Sequence, residues 1–194
     1  MSEAFTTFGY ALGLATSEEA SFFTDQSVPL PKEFQVIDDL AYRELKITGK
    51  TVGIIIFPEL KNAKTVPEKT LRSITRMCSD KQKETDLLIG MSPWGYWSEQ
   101  SYLKSLPLAG VDILLGSGAG VEVAGVAMNN GNTWWCRAYN KGKYVIKIDV
   151  ESWPSRKKAP LWKEKENIRT EPVVLTDGFV EDNDMLSIIG QALN

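Results

Sequence analysis

Thr51-Val-Gly-Ile-Ile-Ile-Phe57 and Asp86-Leu-Leu-Ile-Gly-Met91 decide the fold. Each is a short, unbroken apolar run, which is how a strand buried on both faces reads, and the first is rich in branched side chains. Thr48-Gly-Lys50 makes a turn ahead of the first run, and Pro58 ends it. Between the two, residues Pro67 to Glu84 place Leu71, Ile74, Met77 and Cys78 at helical spacing, with proline at the start and charges elsewhere. Strand, amphipathic helix, strand is a crossover unit, so the two strands are expected to run parallel with a right-handed connection.

Outward from this unit, Ser98 to Leu106 predicts a short helix and Val111-Asp-Ile-Leu-Leu115 a third buried strand, ending in Gly116-Ser-Gly-Ala-Gly120. The pattern then changes. Val121 to Met128, Thr133 to Tyr139 and Tyr144 to Val150 read as strands joined by Asn129-Asn-Gly-Asn132 and Asn140-Lys-Gly-Lys143, both hairpin-type connections. Residues 151 to 170 read as a charged, solvated excursion and 182 to 193 as a closing helix. Upstream, Thr16-Ser-Glu-Glu19 carries the hydroxyl cap and early acids of a helix start, and Val28-Pro-Leu-Pro31 stops that helix. Apolar positions from Phe34 to Ile47 fit extended chain about as well as helix. The whole chain reads as one α/β domain with a mixed sheet and covering helices.

Composition excludes several function classes. The 194 residues are 43% hydrophobic and 24% charged, which is globular and not disordered. Twenty-two basic residues against 25 acidic ones, a net charge of −3, give no reason to expect a nucleic-acid partner. No apolar run approaches the roughly 20 residues that span a bilayer. The first Lys or Arg is Lys32, so a secretory signal is not expected; the chain is cytoplasmic as it stands, or periplasmic or extracellular as a piece of a longer exported protein. There is no histidine at all, which removes the commonest metal ligand and the usual acid or base near neutral pH. Two cysteines, Cys78 and Cys136, make no zinc cage and are expected as separate buried thiols.

Three segments together resemble the second half of the 5′-nucleotidase-like calcineurin-type metallophosphoesterases. They are Asp86-Leu-Leu-Ile-Gly-Met-Ser-Pro-Trp-Gly95, Gly110-Val-Asp-Ile-Leu-Leu-Gly-Ser-Gly-Ala-Gly120 and Gly142-Lys-Tyr-Val-Ile-Lys-Ile-Asp-Val150. That family reads there as strand, Ser-His-x-Gly, helix, Gly-Ile-Asp, strand, Gly-Gly-His-x-His, then a hairpin ending in Gly-Lys-Tyr. The likeness runs in order over residues 45 to 150 and implies a metallophosphoesterase-like sandwich. It departs where the chemistry lies: Pro93 stands in place of the first histidine, and Gly118 and Gly120 in place of the pair that would serve a two-metal centre. The family's opening Asp-x-His, Gly-Asp and Asn-His-Glu or Asn-His-Asp motifs are absent. The resemblance therefore implies a scaffold without metals or other cofactor, lacking the family's first strands.

Rival motifs fail on geometry. Gly116 to Gly120 follows a strand but precedes another, with the wrong spacing for a dinucleotide loop, and Gly49-Lys-Thr51 lacks the upstream glycine of a P-loop. Asp86 and Asp112 open strands at their amino ends, away from where such sheets bind ligands, and are read as structural. Arg156-Lys-Lys158, with Lys163, Lys165 and Arg169, is interleaved with Glu164 and Glu166 and is read as solvated. Ser92 and Ser117 lie at carboxyl ends without a base to activate them, so no catalytic residue is assigned.

The candidate ligand or partner surface is Ser92, Trp94, Tyr96, Trp97, Ser117, Gly118 and Gly120. The expected function is non-catalytic: a binding, structural or regulatory module. The alternative is a metal-dependent phosphoesterase, 5′-nucleotidase or thiosulfohydrolase-type hydrolase whose ligands lie in a missing segment or a partner. Because residues 1 to 50 cannot supply the opening strands that the first half of the resembled family contributes, the resemblance implies that the edge beside Thr51 to Phe57 or Asp86 to Met91 lacks its usual neighbour. That points to a homo-oligomer or another protein subunit, with Trp94 or Trp97 as anchor.

Overall fold

A computed structural model describes residues 2–60, 65–105, 110–138, 144–155 and 161–192. In chain order its elements are α1 (Ser2–Thr7), β1 (Gly13–Ala15), α2 (Ser17–Asp25), β2 (Phe34–Val36), β3 (Ala41–Ile47), β4 (Lys50–Ile56), α3 (Glu68–Lys81), β5 (Leu87–Ser92), α4 (Tyr96–Ser105), β6 (Ile113–Gly116), β7 (Val123–Met128), β8 (Thr133–Arg137), β9 (Tyr144–Val150), β10 (Ile168–Val174) and α5 (Asn183–Ala192). They fall into two compact units, one of Met1–Asp38 with Thr176–Asn194 and one of Asp39–Leu175.

In the smaller unit β1 and β2 pair in parallel. The helix start read at Thr16 is a reciprocal capping box: the Glu19 amide donates to Thr16 Oγ1 at 3.2 Å and the Thr16 amide to Glu19 Oε2 at 2.7 Å. Such a cap is worth about 1 kcal/mol. The Phe34 ring gathers Phe5 and Tyr10 at centroid distances of 5.1 and 6.4 Å, and α5 lies against α1.

The larger unit is built on a six-stranded mixed sheet in the order β3-β4-β5-β6-β8-β7. The crossover reading holds, since β4, β5, β6 and β8 run parallel to one another in turn. Register puts Ile55, Gly90, Leu114 and Trp135 in one row across the sheet. Ile74 and Cys78 of α3 and Tyr102 and Leu103 of α4 share a fully buried cluster with that row. Each large apolar side chain so buried stabilises by about 1.5–3 kcal/mol. Asp86 and Asp112 tie the amino ends together, as read: Asp86 Oδ2 accepts from the Thr51 amide at 2.8 Å and Asp112 Oδ2 from the Leu88 amide at 2.6 Å.

Two expectations are corrected. The edge beside Thr51 to Phe57 is not open, because β3 pairs antiparallel with β4 over seven residues, from Ala41 opposite Ile56 to Ile47 opposite Lys50. The ambiguous stretch 34–47 is thus extended, and its Arg43, Glu44 and Lys46 give the new edge the charges that discourage further pairing. The strand Tyr144 to Val150 does not return to β8. Instead β9 pairs antiparallel with β10, a strand hidden in the end of the charged stretch, where Ile168 and Trp162 are buried. The connection at 140–143 lies outside the described residues, as does the basic run 156–158. Arg169, from the same cluster, pairs with Asp149 at 3.1 Å on the solvated hairpin. Among the described residues no helix is long and apolar enough to cross a membrane.

Candidate functional site

The carboxyl ends of β5, β6 and β8 converge on one edge, and most of the sequence-derived candidates are there. Ser92 ends β5 and is buried; its carbonyl accepts from the Ser117 amide at 2.8 Å and from Ser117 Oγ at 3.2 Å, and its hydroxyl accepts from the Trp94 amide at 3.3 Å. The loop after β5 and the loop after β6 are laced backbone to backbone: the Gly95 amide donates to the Ser117 carbonyl and the Tyr96 amide to the Ala119 carbonyl, both at 2.9 Å. Both serine hydroxyls are therefore engaged within the edge itself.

Gly118 and Gly120 serve this lacing. Both have positive φ, 79° and 125°, where a side chain is strained. A Cβ on Gly118 would sit 2.7 Å from the Pro93 carbonyl oxygen, and one on Gly120 would overlap Tyr96 Cβ. No imidazole fits at either position without parting the two loops.

The aromatic group splits by depth. Trp94 turns inward, its ring 4.8 Å from Phe57 and its indole N–H donating to the Pro58 carbonyl at 2.6 Å. Tyr96 is half-buried against Trp135 at 5.3 Å. Trp97, at 76% exposure, is the member that reaches solvent, stacked edge-on against Tyr96. Trp134 and Trp135 face opposite sides of β8, as adjacent strand residues must, yet both are buried; the Trp134 indole reaches Thr170 Oγ1 of β10 at 2.8 Å.

Sequence reading missed the centre of the edge. Glu99 of α4 and Arg137 at the end of β8 form an ion pair, Nη1 to Oε2 at 2.9 Å, with side chains 0% and 1% exposed. The Trp135 indole donates to the same carboxylate oxygen at 3.0 Å. Arg137 Nη2 donates to the carbonyls of Ser117, Gly118 and Ala119 at 3.2, 2.9 and 3.2 Å, and the guanidinium lies 5.9 Å from the Tyr96 ring. Gly116 leaves the space that the Glu99 carboxylate fills; a Cβ there would overlap it. Glu99 Oε1 and Arg137 Nε are buried without a hydrogen-bond partner. Burial pushes the Glu99 carboxyl up to about 7, against the opposing pull of Arg137 and of the nearby Trp135 and Ser92. A general acid needs such a value, and this carboxyl is wholly buried.

The residues present do not fit a two-metal centre. Glycines stand at two positions where the resemblance would place side-chain donors, and a guanidinium already collects the loop oxygens. Among the described residues no group of three or more His, Cys, Asp or Glu could hold a metal ion. The cysteines stand apart, both free and buried; burial pushes the Cys78 thiol up to about 12 and Cys136 to about 11, which leaves them unreactive.

No family model matches the sequence, and no curated protein matches it. Among solved structures, the sulfate thiohydrolase SoxB of Thermus thermophilus, solved in complex with glycerol, is similar with a TM-score of 0.67 at 12% identity. The match covers 92% of this chain and 34% of that one, so the chain spans about a third of the enzyme it resembles. A hypothetical protein, also from Thermus thermophilus, aligns with a TM-score of 0.44 at 9% identity, over 66% of this chain and 53% of that one. The metallophosphoesterase-like resemblance therefore stands at the level of fold.

Proposed function

We propose that this chain is a non-catalytic module on a metallophosphoesterase-like scaffold, acting by binding rather than by turnover. The observation that carries the reading is the Glu99–Arg137 pair, buried where the strand ends converge. An arginine stays protonated throughout the accessible pH range and neither activates water nor takes a proton. The hydroxyls of Ser92 and Ser117 are engaged within the edge, and the loops themselves are closed by Gly118 and Gly120.

What remains available at this edge is surface. Trp97 projects beside the half-buried Tyr96, and residues 117–121 lie exposed on the neighbouring loop. Tryptophan and tyrosine are over-represented among residues that dominate protein contacts. A second copy or another protein is the proposed occupant, now without an open sheet edge as the reason.

Two measurements test this. Elemental analysis after dialysis is expected to find less than one manganese, zinc or iron per chain, and phosphatase, nucleotidase and thiosulfate-ester assays are expected to match a chelated control. Stoichiometric metal with turnover would instead support the hydrolase reading, its ligands supplied from outside the edge described here. Light scattering of Trp97→Ala beside the unaltered chain tests the surface. Folding stability should change by no more than about 0.5 kcal/mol, as for an exposed side chain, while any assembly weakens. An unaltered chain that stays monomeric at micromolar concentration, and for which Trp97→Ala changes no interaction, would remove the surface proposal.

A further inference from the structure

Helices α3 and α4 leave a cavity of about 510 Å³ between them, lined by none of the residues of the carboxyl edge. Small-molecule sites commonly measure roughly 300–1,000 Å³. The α3 wall consists of two adjoining rows of side chains at four-residue spacing, Leu71, Thr75 and Ser79 beside Arg72, Arg76 and Asp80. Tyr102 and Ser105 of α4 line the other side.

The charges of this wall are not used alike. Arg72 reaches back to Glu68 at 2.6 Å, and near the end of the helix Lys81 pairs with Glu84, also at 2.6 Å. Arg76 and Asp80 stand as far apart in sequence as Glu68 and Arg72, yet they form no ion pair with each other or with any described residue. Their order, cation before acid, is the weaker one for such a pair. The cavity thus holds one unmatched cation and one unmatched anion a turn apart. The hydroxyls repeat the contrast. Ser21, Thr24 and Ser105 each donate to a carbonyl of their own helix, at 2.9, 3.1 and 2.9 Å. Half-buried Thr75 and Ser79 have no hydrogen-bond partner among the described residues and border the cavity instead.

One small molecule satisfies all of these groups if it carries a carboxylate, an ammonium and an apolar body. We propose that the cavity between α3 and α4 binds a free apolar α-amino acid. Its carboxylate meets the Arg76 guanidinium, which offers a planar fork of N–H donors, and the Thr75 and Ser79 hydroxyls. Its ammonium meets Asp80, and its side chain lies against Leu71 and Tyr102. A dianion such as inorganic phosphate fits less well, because it brings Asp80 no partner and is repelled by it. The proposal does not depend on what the carboxyl edge does.

NMR titration of the full, isotope-labelled chain with L-phenylalanine and with L-leucine tests it. At millimolar concentration at least one of the two is expected to shift the amides of Thr75, Arg76, Ser79 and Tyr102 saturably. The matching acids without the ammonium, hydrocinnamate and isocaproate, and the matching amines without the carboxylate, phenethylamine and isoamylamine, should bind about fivefold more weakly. Arg76→Gln should weaken the amino acid and the acid by a similar factor and spare the amine, whereas Asp80→Asn should weaken the amino acid and the amine and spare the acid. Both side chains are exposed, so neither change threatens folding, and the comparison of analogues needs no variant. Absence of saturable shifts with both amino acids would overturn the proposal. So would an acid or inorganic phosphate that binds as tightly as the amino acid, or an affinity for the amino acid that ignores Arg76→Gln or Asp80→Asn.

Discussion

Replacing Arg137 by methionine removes the cation from a site that keeps its acid. Methionine retains much of the apolar stem, so the loss is mainly of charge and hydrogen bonds: one to Glu99 at 2.9 Å and three to the carbonyls of residues 117–119. Deleting one partner of a buried ion pair costs roughly 3–5 kcal/mol, because the other charge is left uncompensated. At pH 8 most of Glu99 is ionised in the intact protein, while in the variant the unpaired carboxyl must take up a proton, which adds about 1.4 kcal/mol to the cost found at low pH. At pH 5.5 the carboxyl, with its value of about 7, is already mostly neutral. The cost should then shrink towards that of the lost carbonyl bonds, roughly 1–3 kcal/mol. Against a total stability of about 5–15 kcal/mol, the variant still folds.

Urea unfolding followed by tryptophan fluorescence at the two pH values gives both numbers. A companion variant, Arg137→Met with Glu99→Leu, removes both members, and at pH 8 should recover at least half of the loss. The reasoning fails if Arg137→Met lies within about 1 kcal/mol of the unaltered chain at pH 8. It fails equally if the double variant is no more stable than the single one, since the cost would then belong to packing and not to a stranded charge.

Two further outcomes follow from the same edge and core. Gly118→Ala, at a φ of 79° with the Pro93 carbonyl 2.7 Å from the added Cβ, should cost about 2 kcal/mol or more; a neutral result in thermal unfolding would mean that the two loops part easily. Cys78 and Cys136 should both resist a thiol reagent in the native state and both react in denaturant without reductant; a silent pair in denaturant would reveal a disulfide.

Legibility followed burial. The segments β4, α3 and β5 could be read because strands covered on both faces, and a helix with one buried stripe, leave signals that do not depend on any distant partner. For β3 no such signal exists: half exposed and carrying Arg43, Glu44 and Lys46, it is a strand because β4 is beside it. The same holds for β10, where Pro172 and the preceding charges mask a segment that is fixed by pairing with β9 and by buried Ile168. At the site, the backbone-rich candidates Ser92, Ser117, Gly118 and Gly120 were placed together by their positions after strands. Glu99 and Arg137 were not found, because a charged residue on a short helix or at a strand end ordinarily reads as solvated. One signal was there: Arg137 continues a run, Thr133-Trp-Trp-Cys136, in which every residue is buried, and a buried arginine needs an acid close by.

An ion at the carboxyl edge of such a sheet does two separable things. It draws oxygens from several loops towards one point, and it polarises whatever water or substrate it binds. Arg137 performs the first: its guanidinium gathers three carbonyls from the loop after β6, while Glu99, on the helix that follows β5, neutralises it. It cannot perform the second, since an arginine holds its charge in fixed N–H bonds and offers no vacant coordination position. On the proposed reading, the edge keeps the cohesion that a cation supplies and gives up the chemistry. Glycines at 118 and 120 are then requirements of the new arrangement: only residues without side chains let the two loops approach closely enough for their backbones to bond. Histidine placed at these two positions should therefore loosen the edge before it gathers any metal, and a double Gly118→His, Gly120→His variant is expected to lose stability without gaining zinc in a dialysis titration. Tight zinc binding by that variant at unchanged stability would show that the loops have room the packing denies.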